Sequence, residues 1–349
     1  MNASTAAPAI AAAAVEFPSH RHSQDEVITA LARFAGPEFI RFASASGVQT
    51  RHLALPMARY PELSGFTEAN RAYLEVALDI GERALRSALD TAKIRPAEVD
   101  IVFSTTVTGL AVPTLEARLA ARVGLRPDVK RVPLFGLGCV AGAAGVARMN
   151  DYLRAYPGQT AALLAVELCS LTIQRDDTSM ANLVAASLFG DGGAVVIATG
   201  AERSSTGPQV LASRSRLYPD SETVMGWDIG TDGFRIVLSA DVPTIAEKYL
   251  GEDVRLFLAE FGLRTSDIAT WICHPGGPKV IEAVENVLQL PEEALDRTRE
   301  SLRDNGNMSS VSVLDVLRAN LAEPPTPGSL SMMIAMGPGF CSELVLLRW

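Results

Sequence analysis

Hydrophobic positions along the chain follow two patterns that alternate. Over 69–91 apolar residues recur every three or four positions, which predicts an amphipathic helix. Residues 99–104 then form a short apolar run that predicts a buried strand. The same order returns later, where 254–261 predicts a helix and 268–273 predicts a strand. Alternating helices and strands predict a layered α/β fold with mostly buried strands.

Landmarks of the first part of the chain recur in the second part in the same order. Residues 89–95 align with 258–264 at a shift of 169 positions. Gly138-Cys139 aligns with Gly306-Asn307 at the similar shift of 168. Matches of this kind, repeated along a chain, indicate an internal duplication.

A third correspondence links the glycine-rich turn at 189–193 to the turn at 336–339. Its shift is 147 positions, so loop lengths must differ between the two parts. Turn-forming residues before position 208 favour this place as the connection between the first and the second part of the chain. We therefore predict two duplicated halves, 1–207 and 208–349, which bring equivalent strand ends and helix starts together.

Cys139 is the candidate nucleophile. The apolar stretch 132–135 runs into glycines on both sides of this cysteine, and small residues continue to position 145. This pattern is typical of a sharp strand-to-helix turn that exposes one side chain at its tip. A thiol at a helix N-terminus gains from the helix dipole, so we expect a lowered pKa. The alternative is a packed core thiol whose glycines allow close helix packing.

His274 and Asn307 are the candidate partners of that thiol. His274 ends a predicted buried strand before Pro-Gly-Gly, which suits a general base or a hydrogen-bond donor, or else a structural histidine. Asn307 precedes a predicted helix, which suits either an N-cap or an amide donor that faces an oxyanion. Together, Cys, His and Asn favour acyl transfer through a thioester. A metal is not expected, because no second His or carboxylate has ligand spacing.

Composition and charge limit the classes of function. The 349-residue chain is 48% hydrophobic, which permits a large core, and its net charge is −9. Nucleic-acid binding is disfavoured because the sequence contains no cluster of basic residues that could contact phosphates. Four cysteines without a C-x-x-C pair indicate a reduced compartment, and we expect the cytoplasm. The apolar stretch 6–15 lacks a basic flank, and no apolar run is long enough to span a bilayer.

The candidate residues and their surroundings resemble the type III polyketide synthases, the chalcone synthase-like branch of the thiolase-fold condensing enzymes. The resemblance runs from about Pro8 to Trp349. It implies a thiolase-like layered αβαβα fold, a homodimer, and CoA thioesters as substrates without a further cofactor. Its most specific motifs, in family order, are 138–142, 188–192, 273–278, 306–310 and 337–339.

The resemblance also implies roles for individual residues. Cys139 would carry the starter and the growing chain, while His274 and Asn307 would bind the malonyl-CoA thioester carbonyl and stabilise the enolate. Phe189 and Phe234 would be two aromatic gates to the cavity. The remaining assignments are Thr108, Val112, Met225, Gly337 and Gly339 for the substrate cavity, and Arg51 and Lys279 for CoA.

Departures from the family pattern bear on the substrate. Val140 follows the nucleophile where plant members usually carry Phe, and small residues surround both Cys139 and Phe189. Aromatic residues make up only 6% of the chain, which disfavours an aromatic starter. The sequence therefore favours a bacterial-type enzyme that extends an aliphatic acyl-CoA with malonyl-CoA. Its products would be alkylpyrones, alkylresorcinols or alkylresorcylic acids.

Two other functions stay open on the sequence. A β-ketoacyl-carrier-protein synthase of the third kind also uses Cys, His and Asn, but it condenses once and takes malonyl from a carrier protein. Pro-Gly-Gly after His274 and the motif at 306–310 favour the polyketide branch instead. A degenerate thiolase-fold binding protein is the non-enzymatic alternative, which the intact Cys, His and Asn set disfavours.

Overall fold

The computed structural model describes residues 7–203 and 205–349, without the side chains of 32–36. Residues 1–6, with which the predicted first half begins, therefore lie outside the described residues, and so does the first residue of the apolar stretch 6–15. Ser204, which precedes the predicted connection between the halves, also lies outside them. The strands are β1 (Ala9–Glu16), β2 (His20–Ser23), β3 (Thr50–Leu53), β4 (Ile101–Thr105), β5 (Lys130–Leu134), β6 (Thr160–Leu168), β7 (Asp191–Thr199), β8 (Gln209–Leu217), β9 (Met225–Gly230), β10 (Gly233–Leu238), β11 (Ile268–Cys273), β12 (Leu330–Gly337) and β13 (Cys341–Arg348).

The helices agree with the periodicity seen in the sequence. The predicted helix 69–91 lies inside α2, and the predicted helix 254–261 overlaps the end of α6. The α-helices of the described residues are α1 (Gln24–Ser44), α2 (Phe66–Ala92), α3 (Leu115–Val123), α4 (Ala141–Ala155), α5 (Met180–Leu188), α6 (Val242–Ala259), α7 (Pro278–Leu288), α8 (Asp296–Asn305) and α9 (Ser310–Ala322). Among them, none combines the length and the hydropathy needed to cross a membrane.

One mixed sheet of nine strands shows the internal repeat as a repeat of topology. Its order is β11-β12-β13-β8-β1-β7-β6-β4-β5. In the first half β4 runs parallel to β6, which is antiparallel to β7, which is antiparallel to β1. In the second half β11 runs parallel to β12, which is antiparallel to β13, which is antiparallel to β8. The halves join where Ala9 of β1 lies opposite Gln209 of β8.

Helices cover the outer faces of both half-sheets and also lie between them. Helices α2 and α3 pack on the first half through an apolar cluster that includes Leu119. Helices α6 and α7 pack on the second half through a cluster that includes Val284. The central cluster joins α4 and α9 to strands of both halves, and it includes Val146 and Val313. The predicted thiolase-like αβαβα layering is therefore confirmed. The apolar cluster around α4 and α9, which contains residues of both halves, forms its middle layer.

The two central helices approach each other closely at Gly142 of α4. A Cβ atom at this position would lie 2.3 Å from the carbonyl oxygen of Ser310 and 2.6 Å from Cγ1 of Val313. These distances are too short for any side chain at position 142. The nearest atom belongs to the backbone of α9, which cannot turn aside as a flexible side chain could. The contact between α4 and α9 therefore requires glycine at position 142, three residues after the predicted nucleophile.

Gly142→Ala should destabilise the protein although alanine favours helix over glycine by about 1 kcal/mol. The added methyl group overpacks the α4–α9 contact, which should lower the free energy of unfolding by about 1–3 kcal/mol. Urea unfolding measures the effect. Gly230→Ala is the matched control, because a Cβ atom there has no neighbour within 4 Å. Equal stability of Gly142→Ala and the control would show that the helices can separate without cost.

Candidate active site

Cys139 lies in a single 3-10 turn, 138–140, between the edge strand β5 and helix α4. Its side chain is buried, and Sγ lies 3.6 Å from Oγ of Ser309. Burial raises the pKa of the thiol to about 12, opposed by the hydrogen bond to Ser309 and reinforced by the negative charge of Glu167. The expected lowering of this pKa by the helix dipole is therefore wrong, because desolvation outweighs it.

His274 follows β11 directly, as the sequence predicts. Its backbone nitrogen donates to the carbonyl oxygen of Ile334 in β12, and its own carbonyl accepts from Gly276, so the residue is held at both ends. Nδ1 is buried and has no hydrogen-bond partner among the described residues. Burial lowers the pKa of the imidazole to about 4, so the ring is neutral at neutral pH. A neutral imidazole offers one donor and one acceptor.

Asn307 is not a helix cap, since α9 begins at Ser310. Its side-chain Oδ1 accepts from the backbone nitrogen of Ser309 at 2.9 Å, and its Nδ2 lies 3.4 Å from the carbonyl oxygen of Gly276. These contacts orient the amide so that its nitrogen, a donor, faces the carbonyl of Gly276, two residues after His274. The sequence alternative of a simple N-cap is therefore wrong.

Phe189 is attached to Asn307 through the backbone. The nitrogen of Gly190 donates to the carbonyl of Asn307 at 3.0 Å, and the nitrogen of Asn307 donates to the carbonyl of Leu188 at 2.8 Å. Gly190 permits this crossing, because a Cβ atom there would lie 2.2 Å from the carbonyl oxygen of Asn305. The end of α5 and the segment before α9 are thus joined by two backbone hydrogen bonds.

One cavity of about 720 Å³ collects the three candidate catalytic side chains, and we call it the main cavity. Lys279 is exposed in the first turn of α7, where its ammonium group places a positive charge at the wall. Most of the remaining wall is apolar, which suits an acyl chain. The sequence-predicted residues that line the main cavity are Cys139, His274, Asn307, Thr108, Phe189, Met225 and Lys279.

Phe234 and Arg51 do not occupy the positions that the sequence suggested. Phe234 is buried behind the main cavity, packed edge-on against Phe66 and tilted against Trp227, so it is not a wall residue. In the β9–β10 hairpin it pairs with Ile229, whereas Ile236, paired with Trp227, lines the cavity. The assignment of Phe234 to the cavity was therefore wrong by two residues along β10, because Ile236 on the same face of the strand takes that place. A sequence pattern does not distinguish two positions on one face of a strand.

Arg51 is a buried residue of the framework, with 1% of its surface exposed. Its guanidinium donates to the carbonyl oxygens of Ala186 (2.9 Å), Phe189 (2.7 Å) and Ser187, and to Gln24. Burial lowers its pKa to about 10. The assignment to a CoA mouth is corrected accordingly: the cation satisfies the carbonyls at the end of α5, as helix C-termini prefer.

Val112, Gly337 and Gly339 lie outside the lining of the main cavity. Val112 is 94% exposed. Gly337 lets the end of β12 touch the nucleophile turn, because a Cβ atom there would lie 2.8 Å from the backbone nitrogen of Val140. Pro338, between the two glycines, is the wall residue of this loop. Gly337 therefore shapes the cavity through the position of its backbone.

Glu167 was missed by the sequence reasoning. It is a fully buried carboxylate in β6 that accepts from Ser310 Oγ (2.6 Å), Thr108 Oγ1 (2.9 Å) and the backbone nitrogen of Val107 (3.1 Å). Burial raises its pKa to about 7. A lone carboxylate in an otherwise apolar strand is the signal that could have revealed it. Glu167 itself does not line the main cavity; residues that do line it and were not predicted include Cys169, Trp227, Ile236 and Ser309.

Comparison with known proteins agrees with this architecture. Models of the chalcone and stilbene synthases match residues 32–202 (N-terminal domain) and 209–349 (C-terminal domain). A 1,3,6,8-tetrahydroxynaphthalene synthase of Streptomyces peucetius subsp. caesius is 51% identical, over 97% of this chain and 93% of that protein. A putative chalcone synthase of Bacillus subtilis is 37% identical over 86% of each chain. The crystal structure of 1,3,6,8-tetrahydroxynaphthalene synthase from Streptomyces coelicolor has a TM-score of 0.93 at 29% identity, covering 98% and 99% of the two chains.

The fold and the family matches define an enzyme of the acyltransferase type. More narrowly, the chain belongs to the chalcone and stilbene synthase family and is a type III polyketide synthase. The two alternatives left open by the sequence, a carrier-protein synthase and a non-enzymatic binding protein, are thereby set aside. Within the described residues, no group of three His, Cys, Asp or Glu side chains is placed to hold a metal ion.

Glu167→Gln should make Cys139 more reactive at high pH. Removing the negative charge lowers the thiol pKa, so more thiolate is present at a given pH. Above about pH 7 alkylation by iodoacetamide should be up to about tenfold faster than in the wild type, which corresponds to one pKa unit. Below the Glu167 pKa of about 7 the two rates should converge, because the wild-type carboxyl is then protonated.

Peptide mass spectrometry follows the alkylation of Cys139 separately from that of the other cysteines. Glu343→Gln is the matched control, a mostly buried carboxyl in β13 that does not line the main cavity. If Glu167→Gln and Glu343→Gln gave the same pH profile as the wild type, Glu167 would have no electrostatic influence on the thiol.

Proposed function

We propose that this protein joins malonyl-CoA units by iterative decarboxylative condensation on a thioester at Cys139, and then cyclises the chain. The observation that supports the proposal is the meeting of Cys139, His274 and Asn307 in one cavity with largely apolar walls. An enclosed apolar site excludes water, which would otherwise hydrolyse the thioester.

Starter loading exchanges one thioester for another. The Cys139 sulfur attacks the acyl carbonyl, the bond from that carbonyl to the CoA sulfur breaks, and CoA leaves as a thiol after taking up a proton. Because burial holds the pKa of Cys139 at about 12, the thiol needs an acceptor for its own proton. Neutral His274 is the group we assign to this role.

Decarboxylation needs donors at the thioester carbonyl of malonyl-CoA. The bond to the carboxylate breaks, CO₂ leaves, and the electron pair moves into the carbonyl as an enolate. Hydrogen bonds from His274 and from Nδ2 of Asn307 would stabilise this charge more than that of the ground state. The enolate carbon then attacks the acyl carbonyl on Cys139, a carbon–carbon bond forms, and the sulfur leaves as thiolate.

Malonyl-CoA is the starter that we propose first, with a polyhydroxylated naphthalene as product. This rests on the relative at 51% identity, which is a 1,3,6,8-tetrahydroxynaphthalene synthase. Aliphatic acyl-CoA starters, the expectation from the sequence, are the second candidate. The apolar wall formed by Met225, Trp227 and Ile236 favours it, because these side chains would contact an alkyl chain.

Several expectations stay predictions. The homodimer is one, and the 94% exposure of Val112 supports it, since burial of such a residue against a second copy would remove apolar surface from water. A cytoplasmic location and the absence of a cofactor other than CoA thioesters are the others.

Substitution of the three side chains should separate loading from decarboxylation. Cys139→Ala should form no acyl adduct yet still release CO₂ from malonyl-CoA. His274→Ala and Asn307→Ala should each lower CO₂ release by about 10²–10³, the usual loss when an oxyanion donor is removed. Intact mass and ¹⁴CO₂ release are the measurements. Matched controls are Cys341→Ala, His20→Ala and Asn286→Ala, none of which lines the main cavity. Acyl loading of Cys139→Ala, or normal CO₂ release by both other variants, would contradict the roles.

Product profiles should distinguish the two starters. With malonyl-CoA alone, mass spectrometry should show tetrahydroxynaphthalene or its oxidation product. With a ladder of acyl-CoAs from hexanoyl to palmitoyl, alkylpyrones or alkylresorcinols should appear beside it if the second candidate holds. Lack of any product from malonyl-CoA alone would overturn the first candidate, and lack of alkylated products the second.

A further inference from the structure

The short strand β3 contacts both chain segments that meet at Asn307. One segment, 186–190, covers the end of α5, and we call it the α5 arm. The other, 303–307, covers the end of α8, and we call it the α8 arm. The arms cross through two backbone hydrogen bonds, from Gly190 to the carbonyl of Asn307 at 3.0 Å and from Asn307 to the carbonyl of Leu188 at 2.8 Å. The position of Asn307 therefore depends on the contacts that hold these two arms.

The α5 arm is held by the side chain of Arg51 in β3. Its Nη1 donates to the carbonyl oxygens of Ala186 at 2.9 Å and Phe189 at 2.7 Å. Its Nη2 donates to the carbonyl oxygen of Ser187 and to Oε1 of Gln24. A guanidinium presents these donors in one rigid plane, whereas an ammonium group is a compact point charge. Arg51 therefore fixes the direction of the α5 arm as well as satisfying its carbonyls.

The α8 arm is held by the two residues that precede Arg51. The backbone nitrogen of Gln49 donates to the carbonyl oxygen of Arg303 at 2.7 Å. The hydroxyl of Thr50 donates to the carbonyl oxygen of Asp304 at 2.6 Å. Three consecutive residues of the chain thus hold both arms, and a change at one of them should displace one arm relative to the other.

We propose that Arg51 is a positioning residue for the side-chain amide of Asn307, to which it is linked through the α5 arm. Arg51 itself does not line the main cavity, so its effect on the reaction must pass through the residues that it holds. The inference rests on the proposed function, in which Nδ2 of Asn307 donates to the enolate. Because a hydrogen bond weakens steeply when its geometry departs from the ideal, a displaced arm would weaken this stabilisation.

Arg51→Lys tests the role with the positive charge retained. The ammonium group cannot span the four acceptors of the guanidinium, so the α5 arm should shift. The kcat for ¹⁴CO₂ release from malonyl-CoA should fall about tenfold, less than the loss expected when an oxyanion donor is removed altogether. KM should change little, because the lost interaction belongs to the transition state. The rate at which iodoacetamide alkylates Cys139, followed by peptide mass spectrometry, should stay as in the wild type.

A double-mutant cycle distinguishes positioning from a general effect on the fold. In the Asn307→Ala background, Arg51→Lys should cause no further loss of CO₂ release, because the group that Arg51 positions is gone. Equal losses in the two backgrounds would show that Arg51 acts independently of Asn307 and would overturn the inference. An unchanged kcat in folded Arg51→Lys would overturn it as well.

Thr50→Val gives the same test from the α8 arm if Arg51→Lys does not fold. It removes one hydroxyl donor at nearly constant volume, so CO₂ release should fall by a smaller factor, and only while Asn307 is present. Arg297→Lys is the matched control. Its guanidinium donates to the carbonyls of Ala319 (3.2 Å) and Glu323 (3.1 Å) at the C-terminal end of α9, away from the main cavity, and CO₂ release should stay as in the wild type.

The outcomes keep this inference apart from the proposed function. Normal CO₂ release by Asn307→Ala alone would contradict the proposed role of the amide, whatever Arg51→Lys does. A loss in Asn307→Ala together with a normal rate in Arg51→Lys and in Thr50→Val would leave the proposed function intact and overturn only the positioning role.

Discussion

The contact between helices α4 and α9 is the constraint on which the site depends. Each helix begins just after a candidate catalytic residue, α4 after Cys139 and α9 after Asn307. Ser310 ties them together, because its carbonyl oxygen packs against Gly142 and its hydroxyl donates to Glu167 in the first half. A shift of either helix would therefore move the thiol relative to the amide, and shifts of about 1 Å are enough to cost large factors in rate.

Burial governs the electrostatics of the site. It raises the pKa of Cys139 to about 12 and lowers that of His274 to about 4, so both groups are neutral in the free protein at neutral pH. A neutral imidazole can still donate one hydrogen bond, which is what the proposed stabilisation of an enolate needs. The thiol, in contrast, needs a proton acceptor before it can attack an acyl donor in the proposed reaction. Glu167 adds to this restraint, since its negative charge opposes the thiolate.

Helix α5 connects the site to the rest of the first half. Its last carbonyls are held by the buried guanidinium of Arg51, and the next residues cross the segment of Asn307 through backbone hydrogen bonds. The ring of Phe189 is thus carried on a backbone held by these hydrogen bonds while its side chain lines the main cavity. Such an arrangement lets a side-chain movement change the space available to a substrate without disturbing Asn307.

The sequence by itself determined the alternation of helices and strands, the repeat between halves, and the residues Cys139, His274 and Asn307. These follow from periodicity and from local turn chemistry, which act between near neighbours in the chain. The tertiary structure alone decided which side chains face the cavity. Ile236 lines it where Phe234 was expected, and Arg51 is buried where a surface cation was expected. Glu167, which was not predicted, is buried behind the cavity wall and accepts a hydrogen bond from Ser310. Their environments come from residues far away in sequence, as does the desolvation that raises the pKa of the thiol. No local pattern encodes such contacts.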